Sequence, residues 1–308
     1  NTGLVPDIGP SLSSGAEGIG LYRTEFPFII RERFPGEEEQ RQVYRQVLES
    51  FAPRPVTMRT LDVGGDKALP YFPIEEDNPF LGWRGIRITL DHPEIFLVQL
   101  RAMLRASVGL HNLKLLLPMV TNLSEVDEAL ELLRRAHTEV CDEGEPVPMP
   151  EVGVMVEVPS AVYQIGQIAR RVDYLSVGTN DLTQYLLAVD RNNSRVADLY
   201  DSLHPAVLRA LKQVVDGAHR HGRPVSVCGE MAGDPAAAIV LLGMGVDALS
   251  MSASSLLRVK WVIRSMSYQR VQQLFRQVLR MTDAADIRAK LNRELEQSGL
   301  GGLVRAGK

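Results

Sequence analysis

This sequence predicts an α/β fold built on a parallel sheet, on three observations. Short runs of β-prone, near-continuously apolar residues recur along the chain, the pattern of strands buried on both faces. Longer amphipathic stretches separate most of these runs, as in successive strand–helix units. Polar residues gather near the C-terminal ends of the runs, where a parallel barrel places its active site.

The elements follow in order. Gly18–Arg23 is the first run, and Glu37–Phe51 is helical after it. Val56–Leu61 is the second. The segment Ala68–Thr89 that follows is rich in Pro and Gly, lacks clear periodicity and reads as a long loop, a feature that in a compact domain is usually functional. Pro93–Ser107 is helical, Leu113–Met119 is the third run, and Ser124–Cys141 is the next helix, with Ser124 at its N-cap. Val152–Val158 precedes a helix over Ser160–Arg171, with Ser160 as the cap, and Tyr174–Val177 precedes one over Pro205–His221, closed by Gly222. Val225–Cys228, the helix Pro235–Leu242 and Ala248–Met251 complete the alternation. The tail Ser254–Gln297 reads as helical with a break near Thr282, and the Gly-rich Gly299–Lys308 as frayed. Seven runs are one short of a (β/α)8 barrel, and only Asn1–Pro10 precedes Gly18. Counting alone leaves an open sheet and a barrel with a truncated first strand both standing.

Composition narrows the classes. The chain has 308 residues, which corresponds to about two average domains or to one barrel with insertions. A hydrophobic share of 45% with 23% charged residues belongs to a globular protein and excludes extensive disorder. Lys plus Arg number 34 against 38 Asp plus Glu, a net charge of −4, so no broad attraction to nucleic acid or anionic membrane is visible. Two cysteines, Cys141 and Cys228, point away from a disulfide scaffold and toward a reducing, cytoplasmic compartment. The longest apolar run, Ala236–Val246, is shorter than the about 20 residues a membrane span needs. Asn1–Pro10 lacks the basic start and apolar core of a secretory signal. The first residue is not Met, and a fragment of a longer protein is the expectation.

The chemistry-bearing residues are Arg23 and Glu25 after the first run, Arg59 and Asp62 after the second, Glu157 after the fourth, Asn180 and Asp181 after the fifth, and Cys228 and Glu230 after the sixth. Buried charges are costly unless paired or bound to metal, so a repeated cost at one end of the sheet points to a site; ordinary loop ion pairs are the plain alternative. Glu157 and Asp181 end consecutive strands, and two carboxylates with the remaining positions left to substrate and water suit Mg²⁺ or Mn²⁺. Arg23, Arg59, Arg84, Arg87 and Arg191 supply forks for phosphate or carboxylate oxygens. Lys67 follows Gly64-Gly65-Asp66, a turn whose amides could approach an anion, although the spacing is not that of a Walker A loop. Cys228 reads as packing, or as a proton donor as well as a nucleophile, since a thiol of ordinary pKa, about 8.5, is mainly protonated at neutral pH. The six histidines form no metal pattern.

Several longer motifs resemble one family. They are Gly15-Ala-Glu-Gly-Ile-Gly-Leu-Tyr-Arg-Thr-Glu-Phe26, Arg59-Thr-Leu-Asp-Val-Gly-Gly-Asp-Lys67, Asn78-Pro-Phe-Leu-Gly-Trp-Arg-Gly-Ile-Arg87, Leu117-Pro-Met119, Met155-Val-Glu-Val-Pro159, Gly178-Thr-Asn-Asp-Leu-Thr-Gln-Tyr185, Ala188-Val-Asp-Arg191, Cys228-Gly-Glu-Met-Ala-Gly233 and Leu249-Ser-Met-Ser252. Together they resemble the phosphoenolpyruvate-utilising barrel domain, above all the C-terminal domain of enzyme I of the phosphoenolpyruvate:phosphotransferase system. Arg31-Glu-Arg-Phe-Pro-Gly-Glu-Glu-Glu-Gln40 looks most like the nitrogen-regulatory form.

The resemblance implies a (β/α)8 TIM barrel over 1–308, with its first strand just before Asn1. It implies Mg²⁺ on Glu157 and Asp181, with phosphoenolpyruvate phosphate held by Arg23, Arg59 and Arg191. Asn180 and Asp181 would line the same site, Lys67 and Arg84 would be further basic positions, and Cys228 would protonate the enolpyruvate carbon. It also implies a homodimer, a histidine acceptor on a separate domain, and a small histidine phosphocarrier protein that docks there. Two readings compete: a Mg²⁺-dependent 2-oxo acid lyase or aldolase, against which the number of arginines argues, and a non-catalytic module that senses phosphoenolpyruvate and controls dimerisation.

Overall fold

Strand pairing settles the class as α/β of the barrel type. The computed structural model describes residues 1–305. Seven strands form one sheet in sequence order: β1 (Ile19–Arg23), β2 (Val56–Arg59), β3 (Leu113–Leu117), β4 (Glu151–Val156), β5 (Tyr174–Val177), β6 (Val225–Val227) and β7 (Ala248–Leu249). The pairings of β1 with β2, β2 with β3, β3 with β4, β5 with β6 and β6 with β7 are all parallel. Unbroken sequential order with a crossover between each pair is the winding of a (β/α)8 fold, not of a sheet whose order reverses. On the edge of β1 away from β2, Thr2 makes a single parallel bridge to Tyr22. Its N–H donates to Leu21 O at 2.9 Å and its carbonyl accepts from Arg23 N at 2.8 Å. One residue of Asn1–Pro10 thus takes a strand position, while Ile8–Ser13 is helical.

The chain divides into two compact units, Asn1–Met155 with Arg170–Tyr174, and Val156–Ala169 with Leu175–Lys308. In the first, the helices Glu37–Phe51 and Pro93–Ser107 have the expected boundaries. Arg101 binds Glu37, Glu139 and Glu143, and Arg105 binds Glu37, Glu143 and Glu145, tying both helices to Leu123–Asp142. The cap of that last helix lies two residues earlier than the sequence predicted. Asn122 Oδ1 accepts from Glu125 N at 3.1 Å, Glu125 Oε2 accepts from Asn122 N at 3.0 Å, and Ser124 only supports the cap. The reciprocal box satisfies two helix-terminal donors, which Ser124 alone would not. The long segment after β2 folds over its own apolar cluster of Phe28, Leu61, Val63, Leu69 and Ile88, with Phe34, Tyr71, Phe72 and Trp83 packed on it. It is not loop throughout: Pro79–Leu81 is a 3₁₀ turn and Ile86–Asp91 a helix.

In the second unit the predicted helix over Ser160–Arg171 is two short helices, Pro159–Tyr163 and Ile165–Ala169. Pro159 sits at the first helical position behind Val158, so Ser160 is inside the helix rather than its cap. Ile165 is seated where Gly217 leaves room, since a Cβ there would lie 2.2 Å from Ile165 Cγ2. The tail has two breaks, not one. Ala253–Ser265, Tyr268–Val278 and Ala284–Gln297 are separate helices, the second capped by Ser267 and the third by Asp283. Strand β7 departs from the all-buried expectation, Ala248 being exposed. Within the end predicted to fray, Gly301–Arg305 is helical; residues 306–308 of that expectation lie outside the described residues.

Candidate active site

In the first unit, β1 and β2 end side by side, with Arg23 paired to Arg59 in register. The next turns bring five charged side chains together. Arg59 pairs with Glu25 and, at 3.1 Å, with Asp62. Lys67 Nζ lies 2.8 Å from Glu25 Oε1 and 2.8 Å from Asp62 Oδ2. Arg84 Nε donates to Asp62 Oδ1 at 3.1 Å, and its Nη2 to Oδ2 at 3.2 Å. Glu25, Arg59, Asp62 and Arg84 are buried, and Lys67 is partly so. Burial alone would raise both carboxyls. The charges of Arg59 and Lys67 overcome this at Glu25, and those of Lys67, Arg84 and Arg59 hold Asp62 well below the ordinary range. Three cations against two carboxylates leave an excess positive charge in a low-dielectric place, which favours an anionic ligand. Arg23, in register with Arg59, is exposed.

The turn Gly64–Lys67 returns the lysine to the cluster. Gly64 N donates to Lys67 O at 3.0 Å and Lys67 N to Gly64 O at 3.1 Å, with Gly64 at φ +97°. The amides of Gly64 and Lys67 are therefore used inside the turn and do not face an anion. Arg87 is turned to the loop carbonyls of Leu81 and Gly82 and stands outside the cluster.

In the second unit, Glu157 is buried just after β4, and Asp181 is buried in the helix Thr179–Leu187 after β5. Among the described residues no group of three or more His, Cys, Asp or Glu side chains forms a metal cage. Glu157 and Asp181 offer two hard-oxygen donors, a set that suits a Mg²⁺ taking its other ligands from substrate and water. Asn180 is held from both sides: its Oδ1 accepts from Glu230 N at 3.0 Å, and its carbonyl from the Tyr200 hydroxyl at 3.2 Å. Gly229 permits this approach, since a Cβ there would fall 1.8 Å from Thr179 Oγ1. Burial pushes the Tyr200 hydroxyl up, opposed by the adjacent Arg191 charge. Arg191 has its backbone N–H on Gln184 Oε1 at 3.1 Å, and its buried Nη1 has no hydrogen-bond partner. Cys228 is buried, and its thiol donates to Val177 O at 3.5 Å. Gly229 lies inside the Cys228–Gly233 motif, whereas Tyr200 lies on an irregular segment with no motif around it and is not legible in the sequence.

Residues 1–268 match the family model described as "PEP-utilising enzyme, PEP-binding domain". The chain belongs to this PEP-binding family. Within and around it, the chain is 53% identical over 308 residues to a Salmonella typhimurium protein named "Phosphoenolpyruvate-dependent phosphotransferase system", covering 100% of this chain and 41% of that one. An Escherichia coli protein of the same name matches equally well. A "Phosphoenolpyruvate-protein phosphotransferase" of Haemophilus influenzae is 47% identical over 289 residues, covering 93% of this chain and 50% of that one. The chain spans about half or less of the length of these relatives. Among solved structures, a citrate lyase from Burkholderia xenovorans aligns with a TM-score of 0.53 at 16% identity, covering 96% of this chain and 88% of that one. At that identity the likeness speaks of the fold alone, so the PEP-binding family, not the lyases, is the chain's own. No helix of the described residues is long and apolar enough to cross a membrane.

Proposed function

We propose that this chain is the phosphoenolpyruvate-binding catalytic domain, one barrel domain over 1–308, of a cytoplasmic phosphoenolpyruvate–protein phosphotransferase. The observation that carries the reading is the match to the PEP-binding family over residues 1–268. Arg23, Arg59 and Arg191 hold the phosphate, and the partnerless Nη1 of Arg191 supports its role, because a buried guanidinium nitrogen without an acceptor is stabilised by an anion. Lys67 and Arg84 add positive charge while holding Glu25 and Asp62 ionised. Asn180, its side-chain amide held at both ends by Glu230 and its carbonyl by Tyr200, lines the substrate site. Glu157 and Asp181 hold Mg²⁺, which when bound neutralises charge on the phosphoryl and enolate oxygens.

The phosphoryl group passes to a histidine of a separate domain. Cys228 gives its thiol proton to the enolpyruvate methylene carbon, forming the C–H bond of pyruvate and leaving a thiolate. A homodimer, a small histidine phosphocarrier as the next partner, and a place in nitrogen regulation follow from the resemblance of the motifs. For the last of these, Arg31 and Arg33 pair with Glu39, whose carboxylate also accepts from Gly36 N at 2.8 Å, so this stretch also has a local structural role. Calorimetry of the chain with phosphoenolpyruvate, with and without Mg²⁺, tests the reading. Metal-dependent binding is expected, and its absence overturns the proposal. Cleavage of a 2-oxo acid would favour a lyase instead.

A further inference from the structure

Beneath the charged cluster of the first unit lies a buried polar chain that the proposed chemistry does not use. Gln99, in the helix Pro93–Ser107, is 1% exposed, although Phe96, Leu100 and Met103 on the same helix are buried apolar residues. Its Oε1 accepts from Leu61 N at 2.8 Å, and its Nε2 donates to Thr24 Oγ1 at 3.2 Å and to the Tyr44 hydroxyl at 3.2 Å. The Thr24 hydroxyl donates onward to Arg59 O at 2.8 Å, and the Tyr44 hydroxyl to Gln40 Oε1 at 2.9 Å. Gln40 Nε2 in turn donates to Pro35 O at 2.9 Å. Both amide protons of Gln99 and both hydroxyl protons are used, so the direction of every bond is fixed and the chain has one arrangement.

Its position matters. The β1–β2 ladder ends at Arg23 and Arg59. Thr60 N still reaches Leu116 O at 3.0 Å, and Leu61 N is then taken by Gln99. The residues held past the ladder, Thr24 and Leu61, stand next to Glu25 and Asp62, and the carbonyl held is that of Arg59 itself.

We infer that Gln99, through Thr24, is a positioning residue for the Arg59–Glu25–Asp62 cluster. The inference rests on the proposed function for its consequence: misplacing Arg59 weakens the grip on phosphoenolpyruvate phosphate. Support of this kind behind ligating groups is typically worth about 10-fold or more in affinity.

The test uses this chain in two readouts. By calorimetry with phosphoenolpyruvate and Mg²⁺, Gln99→Met and Thr24→Val are expected to bind about 10-fold more weakly. Thr24→Ser, which keeps the hydroxyl, is expected to restore wild-type affinity. In the second readout, without ligand, the Arg59 Nε–Hε NMR signal, assigned by its loss in Arg59→Lys, is expected to shift in Thr24→Val and to stay in place in Thr24→Ser. If Gln99→Met does not fold, Tyr44→Phe, which deletes one hydroxyl, carries the same expectation at smaller size. Wild-type protein that fails to bind overturns the proposed function and leaves the NMR readout to decide the positioning role. An Arg59 signal that does not move in Thr24→Val, or binding by the wild type that Gln99→Met or Tyr44→Phe leaves unchanged, overturns the positioning role alone.

Discussion

Lys67 Nζ stands 2.8 Å from a carboxylate oxygen of Glu25 and 2.8 Å from one of Asp62, so one ammonium bridges two buried acids contributed by different strand ends. Removing it leaves Arg59 and Arg84 to neutralise both. Stripping one partner from a buried pair costs ~3–5 kcal/mol, and the partial exposure of Lys67 together with the remaining arginines reduces this to about 2 kcal/mol. Urea unfolding of Lys67→Met at pH 7 checks the figure, and an unchanged midpoint contradicts the cluster's energetics.

Acid should loosen the same cluster. Glu25 and Asp62 have folded-state pKa values below their ordinary ones, so the unfolded chain binds more protons than the folded one as pH falls. Their contribution is fully present above the unfolded carboxyl range, about pH 4–4.5, and is lost as pH drops through the lower folded values. The urea midpoint is expected to be level from pH 7 to 5.5 and to fall below about pH 4. In Lys67→Met the fall should be smaller and end at higher pH, because the folded pKa values rise toward the unfolded ones while the onset, set by the unfolded chain, stays where it is.

Gly229 should tolerate no side chain. A methyl group there would meet Thr179 Oγ1 at 1.8 Å and Asn180 Oδ1 at 3.0 Å, and forced overpacking costs about 1–3 kcal/mol. Gly229→Ala is expected to lower the thermal midpoint and to weaken phosphoenolpyruvate binding, since it displaces Thr179 and crowds its neighbour Asn180. A variant with wild-type affinity argues that Asn180 is not a ligand contact.

Cys228→Ala separates binding from chemistry. The thiol donates to the backbone carbonyl of Val177 and the residue is buried, so phosphoenolpyruvate affinity should change little. Pyruvate formation, measured with the phosphoryl-accepting domain supplied, should fall by about 10²-fold or more, the usual scale for losing a general acid. Full turnover rejects the proton-donor role.

Much of this was legible in the chain. Buried parallel strands need apolar residues on both faces, so Val56–Arg59 and Tyr174–Val177 stand out from composition alone. Charges at strand ends stand out for the opposite reason, that burial there is costly without a partner, and Glu25, Arg59, Asp62, Glu157 and Asp181 were all visible. The caps at Asn122 and Val158 were misjudged because several residues could open each helix and only the backbone path selects one.

The sequence by itself determined the strand order's raw material, the family and the inventory of chemical groups. Periodicity and residue type act locally, and they survive without coordinates. Only the tertiary structure decided who pairs with whom: that Lys67 turns back through Gly64 to two acids 42 and 5 residues away, and that Gln99 reaches Leu61 from 38 residues off. Such bonds depend on where the chain returns in space, and a hydrogen bond made or missed within a few tenths of an ångström leaves no periodic trace in the sequence.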